Sequence, residues 1–472
     1  MTLSKTLKNN LIGDKAFYAK VVAILLPIVI QNTVTNVVSL LDNVMVGSVG
    51  TLQMSAVAIV NQLLFVFYLA IFGGYAGAGI FSAQYVGAKD DEGIRHCFRM
   101  KLYIGVIVLA VALAIFLIIP DTLISIYFSS DTSAADRTAT LGYGLGYLKV
   151  MLIGLPAFAL SQAYGSTLRE MGETKVPMIA SVVAIAVNLV FNYIFIFGSQ
   201  GLPFLPFGPM GVVGAAVATV ISRFAEAAII VLYVHIKKDI YPFIKGAYKS
   251  LKIPKALTVK ILTKGSPLLV NEIFWSVGMA AIMQCYSRRG LDVVAATNIS
   301  TTANNLFNVV FMSMGNAIAI IVGQQLGANE IKKAKTTVWR LLALSVATCL
   351  IMGGLMAAAA PFIPLIYNTT SAVRGLATEL LFVVAAMMPF YAFAHGCYFT
   401  LRSGGKTMLT LVFDCGFIWG LSYPTAFLLA AFTSLPIIPL YISVQLIEAV
   451  KCVLGAILVK KGVWINNIVE KR

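Results

Sequence analysis

Charge and histidine are scarce in this chain. Of its 472 residues, 11% are charged and three are histidine. Because a soluble domain carries about 25% charged residues, this chain could not cover itself with polar surface. The sequence contains no HExxH motif and no nucleophile next to a base, so an enzyme is not expected. The six cysteines form no CxxC motif and five lie in apolar runs, which is typical of small buried side chains.

A nucleotide-binding motif is also lacking. Gly404-Gly405-Lys406-Thr407 ends like a phosphate-binding loop, but Thr400 stands in place of the leading glycine and a helix precedes it. The formal net charge of +16 could suggest nucleic acid, yet the basic residues are spread over loops on one membrane face. Topology and anionic lipid account for that distribution. We therefore expect no nucleotide, no nucleic acid and no cofactor other than a coupling ion.

Long apolar runs are abundant instead. Hydrophobic residues make up 59% of the chain and the mean hydropathy is +0.88. Runs of about 20 residues recur, which is the length that a helix needs to cross about 30 Å of hydrocarbon. The apolar/polar alternation of barrel strands is absent. The sequence predicts an all-α membrane protein with twelve transmembrane helices, over 21–46, 54–86, 100–119, 141–165, 176–198, 208–234, 265–287, 294–326, 339–366, 376–400, 408–431 and 437–459.

The basic residues predict the orientation of these spans. Of the 35 lysines and arginines, 28 fall in the N-terminal segment, the loops after even-numbered spans and the C-terminal segment. The positive-inside rule then places both termini in the cytoplasm of a multi-pass plasma (inner) membrane protein. The longest basic loop, from Lys237 to Lys264, is the expected connector between two six-helix halves.

The two halves resemble each other in sequence. Leu26-Pro27 and Ser266-Pro267 are 240 residues apart, and at the same offset residues 84–87 align with 324–327. Several matches at one spacing indicate a duplicated unit, hence two pseudo-symmetric six-helix bundles with a cavity at their interface. The predicted domains are a cytoplasmic N-terminal segment (1–20), an N-terminal lobe (21–235), a basic linker (236–264), a C-terminal lobe (265–460) and a cytoplasmic tail (461–472).

An isolated carboxylate lies in the first span. Asp42 has no basic residue within one turn and lies about 30 Å along a helix that starts in the cytoplasm. It either binds a cation or proton in a cavity or caps the helix end at the interface. Asn188 and Asn192 share one face of the fifth span, and Thr219 lies in the sixth. Together the four residues form an all-oxygen set suited to Na⁺, although Asp42 could carry a proton and the others could be interhelical hydrogen-bond partners.

Other polar residues inside spans are weaker candidates. Gln31 and Glu272 follow the prolines of the first and seventh spans, and Glu272 is either a substrate ligand or a solvated entrance charge. His395 could relay protons or simply donate to a carbonyl, and Asp414 is equally ambiguous. Two i,i+3 pairs of opposite charge, which we interpret as structural, are Arg223 with Glu226 and Glu448 with Lys451.

These residues resemble a known family. Pro27 with Gln31, residues 42–47, 84–87, 188–192 and 214–219 are similar, in order and over about residues 20–460, to the multidrug and toxic compound extrusion (MATE) family. The resemblance implies two six-helix lobes, alternating access, and export of lipophilic, often cationic compounds in exchange for Na⁺ or H⁺.

The resemblance also assigns roles to single residues. Asp42, Asn188 and Thr219 match the family's cation-site carboxylate, asparagine and threonine. Asn192 departs from the pattern, since many members have a second acidic residue there. Some members use an acidic residue on the tenth helix, where this chain has His395, which leaves Glu272 as the candidate in the second lobe.

The sequence thus predicts a monomeric antiporter of small molecules in the lipid bilayer, with Asp42 as the coupling residue. Two alternatives remain open: a flippase for a lipid-linked precursor, and a membrane scaffold or sensor without transport. A flippase would be expected to carry more basic residues in its cavity. A scaffold would have no need of a lone carboxylate in lipid.

Overall fold

The computed structural model describes residues 11–128, 133–202 and 206–470. In these ranges it contains no strand and twelve helices that are long and apolar enough to cross a membrane. They are α1 (Lys15–Gly47), α2 (Thr51–Gly87), α3 (Asp91–Ile118), α4 (Ala134–Glu170), α5 (Lys175–Gly201), α6 (Gly211–Ile236), α7 (Lys255–Ser287), α8 (Leu291–Gly327), α9 (Ile331–Ala359), α10 (Ser371–Ser403), α11 (Thr407–Phe432) and α12 (Ile437–Lys461). The predicted all-α fold with twelve spans is confirmed.

The helices are longer than their hydrophobic spans. Each has at least 25 residues, whereas about 20 suffice to cross the hydrocarbon core. The largest difference from the sequence prediction concerns α7, which begins at Lys255 rather than 265. The end of the predicted linker is therefore helical. A hydropathy profile does not assign residues 255–264 to the span because they include three lysines, although their backbone continues the helix.

Prolines mark equivalent helices of the two halves. Pro27 and Pro267 lie inside α1 and α7, and Pro156 and Pro389 lie inside α4 and α10. A proline inside a helix removes one backbone hydrogen bond, and in membrane helices neighbouring groups satisfy the freed carbonyl. The same interruption in matching helices supports the duplication. In α11 a π-helical turn, Ile418–Ser422, interrupts the regular helix.

Contacts group the described chain into two compact units. The N-unit comprises Ile30–Gly79 and the residues from Asp91 to Thr258; the C-unit comprises residues up to 29, Ile80–Asp90 and residues from 259 onward. Both α1 and α2 are shared between the units, so the units do not follow the continuous halves of the chain. The domain boundaries predicted from the sequence stay predictions.

The N-unit anchors the basic loop that follows α6. Arg99 of α3 donates to the backbone carbonyls of Ala247 and Gly246, at 2.8 Å each. Arg95 donates to the carbonyls of Pro242 and Phe243 at 3.2 Å. These hydrogen bonds from charged donors hold the loop against the N-terminal turns of α3.

The core of the C-unit contains the first turns of α1. Val21, Ile24 and Ile28 are buried there against a cluster that includes Ile318 of α8 and Leu341 of α9. These apolar side chains fix the start of α1 within the C-unit, although most of the helix belongs to the N-unit.

Also within the C-unit, α2 and α8 cross at the repeated sequence found at residues 84–87 and 324–327. A Cβ atom at Gly87 would overlap the carbonyl oxygen of Gln324, and one at Gly327 would overlap that of Gln84. Each glycine therefore makes room for the other helix. The Gln84 side chain donates to the Ser403 carbonyl at 2.9 Å and accepts from the backbone N–H of Ile468 at 2.8 Å, which ties the crossing to the tail.

Candidate functional site

The four residues predicted to form a cation site come together in the N-unit. Asn192 Nδ2 donates to Asp42 Oδ1 at 2.7 Å. One terminal atom of the Asn188 amide lies 3.0 and 3.2 Å from the two Asp42 oxygens, and the other lies 3.3 Å from Thr219 Oγ1. With its nitrogen toward Asp42, Asn188 donates to the carboxylate and accepts from the threonine. We call these four residues the Asp42 cluster.

Local sequence explains how the Asp42 cluster forms. Asn188 and Asn192 are four residues apart on α5, so their amides project from one face. A Cβ atom at Gly214 would clash with the Phe195 carbonyl, so the missing side chain lets α6 pack closely on α5. Close approach brings Thr219, one and a half turns later, next to Asn188.

The cluster combines buried amides with a partly exposed carboxylate. Asn188 and Asn192 are 6% and 1% exposed, whereas Asp42 is half-buried. Among the residues that the structure describes, no basic side chain forms an ion pair with Asp42. In the same part of the chain, the buried Asn192 Oδ1 has no hydrogen-bond partner. An unpaired carboxylate beside an unsatisfied amide oxygen is suited to a proton or a small hard cation.

Gln31 lies in a separate polar network of the N-unit. Its Nε2 donates to Ser181 Oγ at 2.7 Å, and Ser181 in turn donates to the carboxylate of Glu226. Glu226 also accepts from Arg223 at 3.5 Å, a long contact for a charged hydrogen bond. We call Gln31, Ser181, Arg223 and Glu226 the Gln31 network.

The sequence analysis missed part of this network. The Arg223–Glu226 pair is confirmed, but Glu226 is 4% exposed and also serves a serine from another helix. The available signal was spacing, since Ser181 precedes Asn188 by seven residues and Glu226 follows Thr219 by seven. Two helical turns correspond to about 10 Å, so α5 and α6 each carry polar residues at two depths.

A small cleft adjoins both polar groups. It has a volume of about 10 Å³, and its walls include Tyr68, Phe158, Thr219 and Arg223. The guanidinium of Arg223 lies 5.1 Å from the centre of the Phe158 ring, and that ring lies 4.5 Å from Tyr68. A volume of that size has room for about one water molecule, and pockets for drug-sized ligands measure roughly 300–1,000 Å³, so this cleft is not a site for a whole compound.

Glu272 and His395 lie in the C-unit and are not hydrogen-bonded to each other in the described structure. Glu272 interacts electrostatically with Arg402 and Asp414. The His395 ring packs against Phe311 and Phe399, with centroids 5.2 and 4.8 Å apart. Its buried Nε2 atom has no hydrogen-bond partner among the described residues. The aromatic surroundings favour a packing role for His395.

The carboxylate of Asp414 is paired with a residue that sequence spacing did not indicate. Lys451 Nζ of α12 donates to Asp414 Oδ1 at 2.7 Å, and Asn271 Nδ2 of α7 donates to Oδ2 at 3.2 Å. The expected pair of Lys451 with Glu448 is also present, at 3.7 Å. Two carboxylates therefore share the single positive charge of Lys451, and Asp414 is the closer of the two.

Comparisons with known proteins agree with this architecture. The MatE family model matches residues 27–194 and 267–442, and the two matches begin 240 residues apart, which is the offset of the sequence repeat. The chain is 26% identical over 450 residues, 91% of its length and 90% of the relative's, to the probable multidrug resistance protein YoeA of Bacillus subtilis. It is 27% identical over 408 residues, 85% of each chain, to the multidrug resistance protein NorM of Vibrio cholerae.

Solved structures give the same result. The fold matches the outward-facing conformation of a multidrug resistance MATE family transporter of the MOP superfamily with a TM-score of 0.83, at 20% identity. That match covers 96% of this chain and 97% of the other. The chain therefore belongs to the MATE family of multidrug efflux proteins, which are membrane transporters of small molecules rather than enzymes.

Proposed function

We propose that this transporter is a secondary active antiporter that exports lipophilic, often cationic compounds in exchange for Na⁺ or H⁺. The observation that carries the proposal is the Asp42 cluster, a carboxylate without an ion-pair partner among the described residues and in contact with the two buried amides. Such a group inside a span is costly unless it is paired or faces water, and by default it indicates a functional site. The multidrug resistance names of the relatives support the choice of exported compounds.

Cation binding changes the hydrogen bonds of the cluster. Asn192 now donates to Asp42 through its nitrogen, whereas a metal cation requires oxygen ligands. Loading Na⁺ therefore needs at least one amide to turn its oxygen toward the ion, while a proton can bind Asp42 directly. In either case the cation removes the charge of Asp42, and the energetic cost of that charge in the membrane disappears.

Exchange follows when the cation and the exported compound oppose each other. Each must bias the same two-state equilibrium in opposite directions, and each then lowers the other's affinity by the same factor. We further propose that the protein is a monomer in the plasma membrane with both termini in the cytoplasm. The bias of basic residues toward one set of loops supports that orientation.

Efflux from vesicles tests the function. The purified chain is reconstituted, loaded with a fluorescent lipophilic cation and exposed to an imposed Na⁺ gradient or proton gradient. Gradient-driven efflux by the wild type, and its loss in Asp42→Asn, is the expected result. Efflux that ignores both gradients would contradict antiport. Movement of a fluorescent lipid instead of the dye would favour a flippase, and movement of neither would favour a scaffold.

A further inference from the structure

The basic loop between α6 and α7, residues 237–254, packs closely on α3. The side chain of Phe243 is fully buried, and its ring lies 5.3 Å from that of Phe98. The guanidinium of Arg99 is also buried and donates at 2.8–3.1 Å to three backbone carbonyls of the loop, those of Gly246, Ala247 and Lys252. Two separate parts of the loop therefore meet at one side chain, which defines the path of the backbone between them.

This part of the loop reaches the apolar spans of its neighbours. The hydroxyl of Tyr103 on α3 donates to the carbonyl of Leu251 at 2.7 Å, and the hydroxyl of Tyr164 on α4 is hydrogen-bonded to that of Tyr248. Tyr103 is the fourth residue of the third predicted span, and Tyr164 is the second-last residue of the fourth. The third span begins, and the fourth ends, at the same membrane surface. Residues 246–252 therefore lie where the apolar spans begin.

The backbone of these residues has the partners that such a position requires. Near hydrocarbon, a carbonyl group cannot rely on water and is costly unless the protein satisfies it. The Leu251 carbonyl accepts from Tyr103, and three further carbonyls accept from Arg99. A loop in water could leave these carbonyls to the solvent. Their hydrogen bonds to side chains suit a loop at the membrane interface.

The exposed side chains of these residues are apolar and basic by turns. Tyr248 and Leu251 are 51% and 55% exposed. Lys249 and Lys252, which follow them directly, are exposed as well. Apolar and aromatic side chains next to lysines are typical of segments in the membrane interface, where the apolar groups enter the acyl boundary and the charges meet the headgroups.

The lysines of this region outnumber its acids. Positions 237–255 contain six lysines and one acidic residue, Asp239. Asp239 forms an ion pair with Lys245 at 2.6 Å. Among the residues that the structure describes, no ion pair involves the next three lysines, Lys249, Lys252 and Lys255. Their ammonium groups are therefore available to an external anion.

We infer that this part of the basic loop is a binding site for an anionic phospholipid: the apolar side chains Tyr248 and Leu251 contact its acyl chains, and its phosphate is bound by Lys249, Lys252 and Lys255. A soluble acid would account for the lysines alone, whereas a lipid also accounts for the exposed apolar side chains at the start of the spans. The site attaches the N-unit to the lipid surface, and it does not depend on the antiport proposed above.

Native mass spectrometry of the purified full chain tests the binding. The chain is titrated in a neutral detergent with dioleoyl phosphatidylglycerol, which is anionic, or with dioleoyl phosphatidylcholine, which is neutral overall. A basic residue near an anionic headgroup contributes about 1 kcal/mol, which is about fivefold in affinity. The wild type should therefore bind the anionic lipid at least about tenfold more tightly, and the triple variant Lys249→Gln/Lys252→Gln/Lys255→Gln should lose that preference.

A matched triple variant separates this site from a general attraction to basic loops. Lys332→Gln/Lys333→Gln/Lys335→Gln removes the same charge from exposed lysines at the start of α9. Two spans separate the two loops, so both lie at the same membrane surface. This control should change the affinity less than about twofold, and an equal loss in both variants would overturn the inference. Displacement of the lipid by excess glycerol 1-phosphate would assign the lysines to a soluble phosphate and would overturn it too.

A spin label measures the depth of the loop in vesicles that contain both lipids. It is attached at Leu251→Cys or, for comparison, at Lys238→Cys, after Cys452→Ser has removed the one partly exposed cysteine of the six. The label at position 251 should collide more often with O₂ than with a water-soluble nickel chelate, and the label at position 238 should do the reverse. Equal access of the chelate to both labels would place the loop in water and contradict the lipid site.

Discussion

The two units both place a carboxylate beside an asparagine, but they neutralise it in different ways. In the N-unit Asp42 receives amide donors and no ion pair among the described residues, whereas in the C-unit Asp414 is bound by Lys451 at 2.7 Å. Lys451 is 7% exposed and also packs on the Phe413 ring, at 5.4 Å. The C-unit thus carries a cation as part of the chain, and we propose that the N-unit takes one from solution.

Removing each carboxylate in turn should give the largest difference between the two units. Asp42→Asn is expected to lower gradient-driven efflux at least tenfold, because the variant has no charge for a cation to neutralise. Asp414→Asn should keep gradient-driven efflux, because Asp414 is already paired with Lys451 and is not expected to bind the coupling cation. Vesicle efflux, normalised to the amount of inserted protein, measures both. Loss of coupling in Asp414→Asn with normal insertion would move the coupling site to the C-unit.

Removing the tethered cation should affect stability rather than coupling. Lys451→Met leaves the half-buried Asp414 and Glu448 without this positive charge. Breaking a fully buried pair costs about 3–5 kcal/mol, so we expect a smaller loss of stability here. The double variant Asp414→Asn/Lys451→Met should recover most of that loss. Thermal unfolding in detergent ranks the stability of the wild type, the Lys451→Met variant and the double variant. A single variant as stable as the wild type would show that the pair is not needed for the fold.

A second acid in the N-unit should strengthen cation binding there. Asn192 Nδ2 lies 2.7 Å from Asp42, so Asn192→Asp would place two carboxylates together, and a cation would be attracted to both. The cation concentration for half-maximal efflux should fall about tenfold. Asn188→Ala, which removes one candidate oxygen ligand, should raise this concentration. An unchanged cation requirement in both variants would mean that α5 does not line the cation site.

His395 should give the smallest effect. Its ring is surrounded by Phe311, Tyr398 and Phe399, and a phenylalanine ring fits similar surroundings. His395→Phe should change efflux by less than about twofold between pH 6 and pH 8, because packing does not depend on a titrating ring. A large loss of proton-driven efflux in this variant would restore the proton relay that the sequence left open.

Much of the fold could be predicted because the length and hydropathy of an apolar run indicate a membrane helix. The Asp42 cluster was also accessible, since the four-residue spacing of Asn188 and Asn192 and the glycine before Thr219 are local signals. Contacts between helices could not be predicted from such local signals. The partner of Asp414 lies 37 residues away, and the i,i+3 spacing of Glu448 and Lys451 suggested a pair complete in itself.

The unit boundaries show the same limit. A hydropathy profile assigns the whole of α1 to the first half of the chain. Nothing in the sequence of α1 indicates that Val21, Ile24 and Ile28 enter the core of the C-unit. The connection of Ser181 with Glu226 was hidden for a similar reason, since each residue alone is an ordinary polar residue in a helix. Tertiary packing decides these contacts, and a single sequence records it only indirectly.

The sharing of α1 has a consequence for biosynthesis. Ile28 is translated early, but its core partner Ile318 follows 290 residues later. At about 5–20 residues per second, the ribosome needs roughly 15–60 s to supply it. During that interval the first turns of α1 lack these core partners. The last helices to be inserted complete the surroundings of the first, so assembly finishes only near the end of translation.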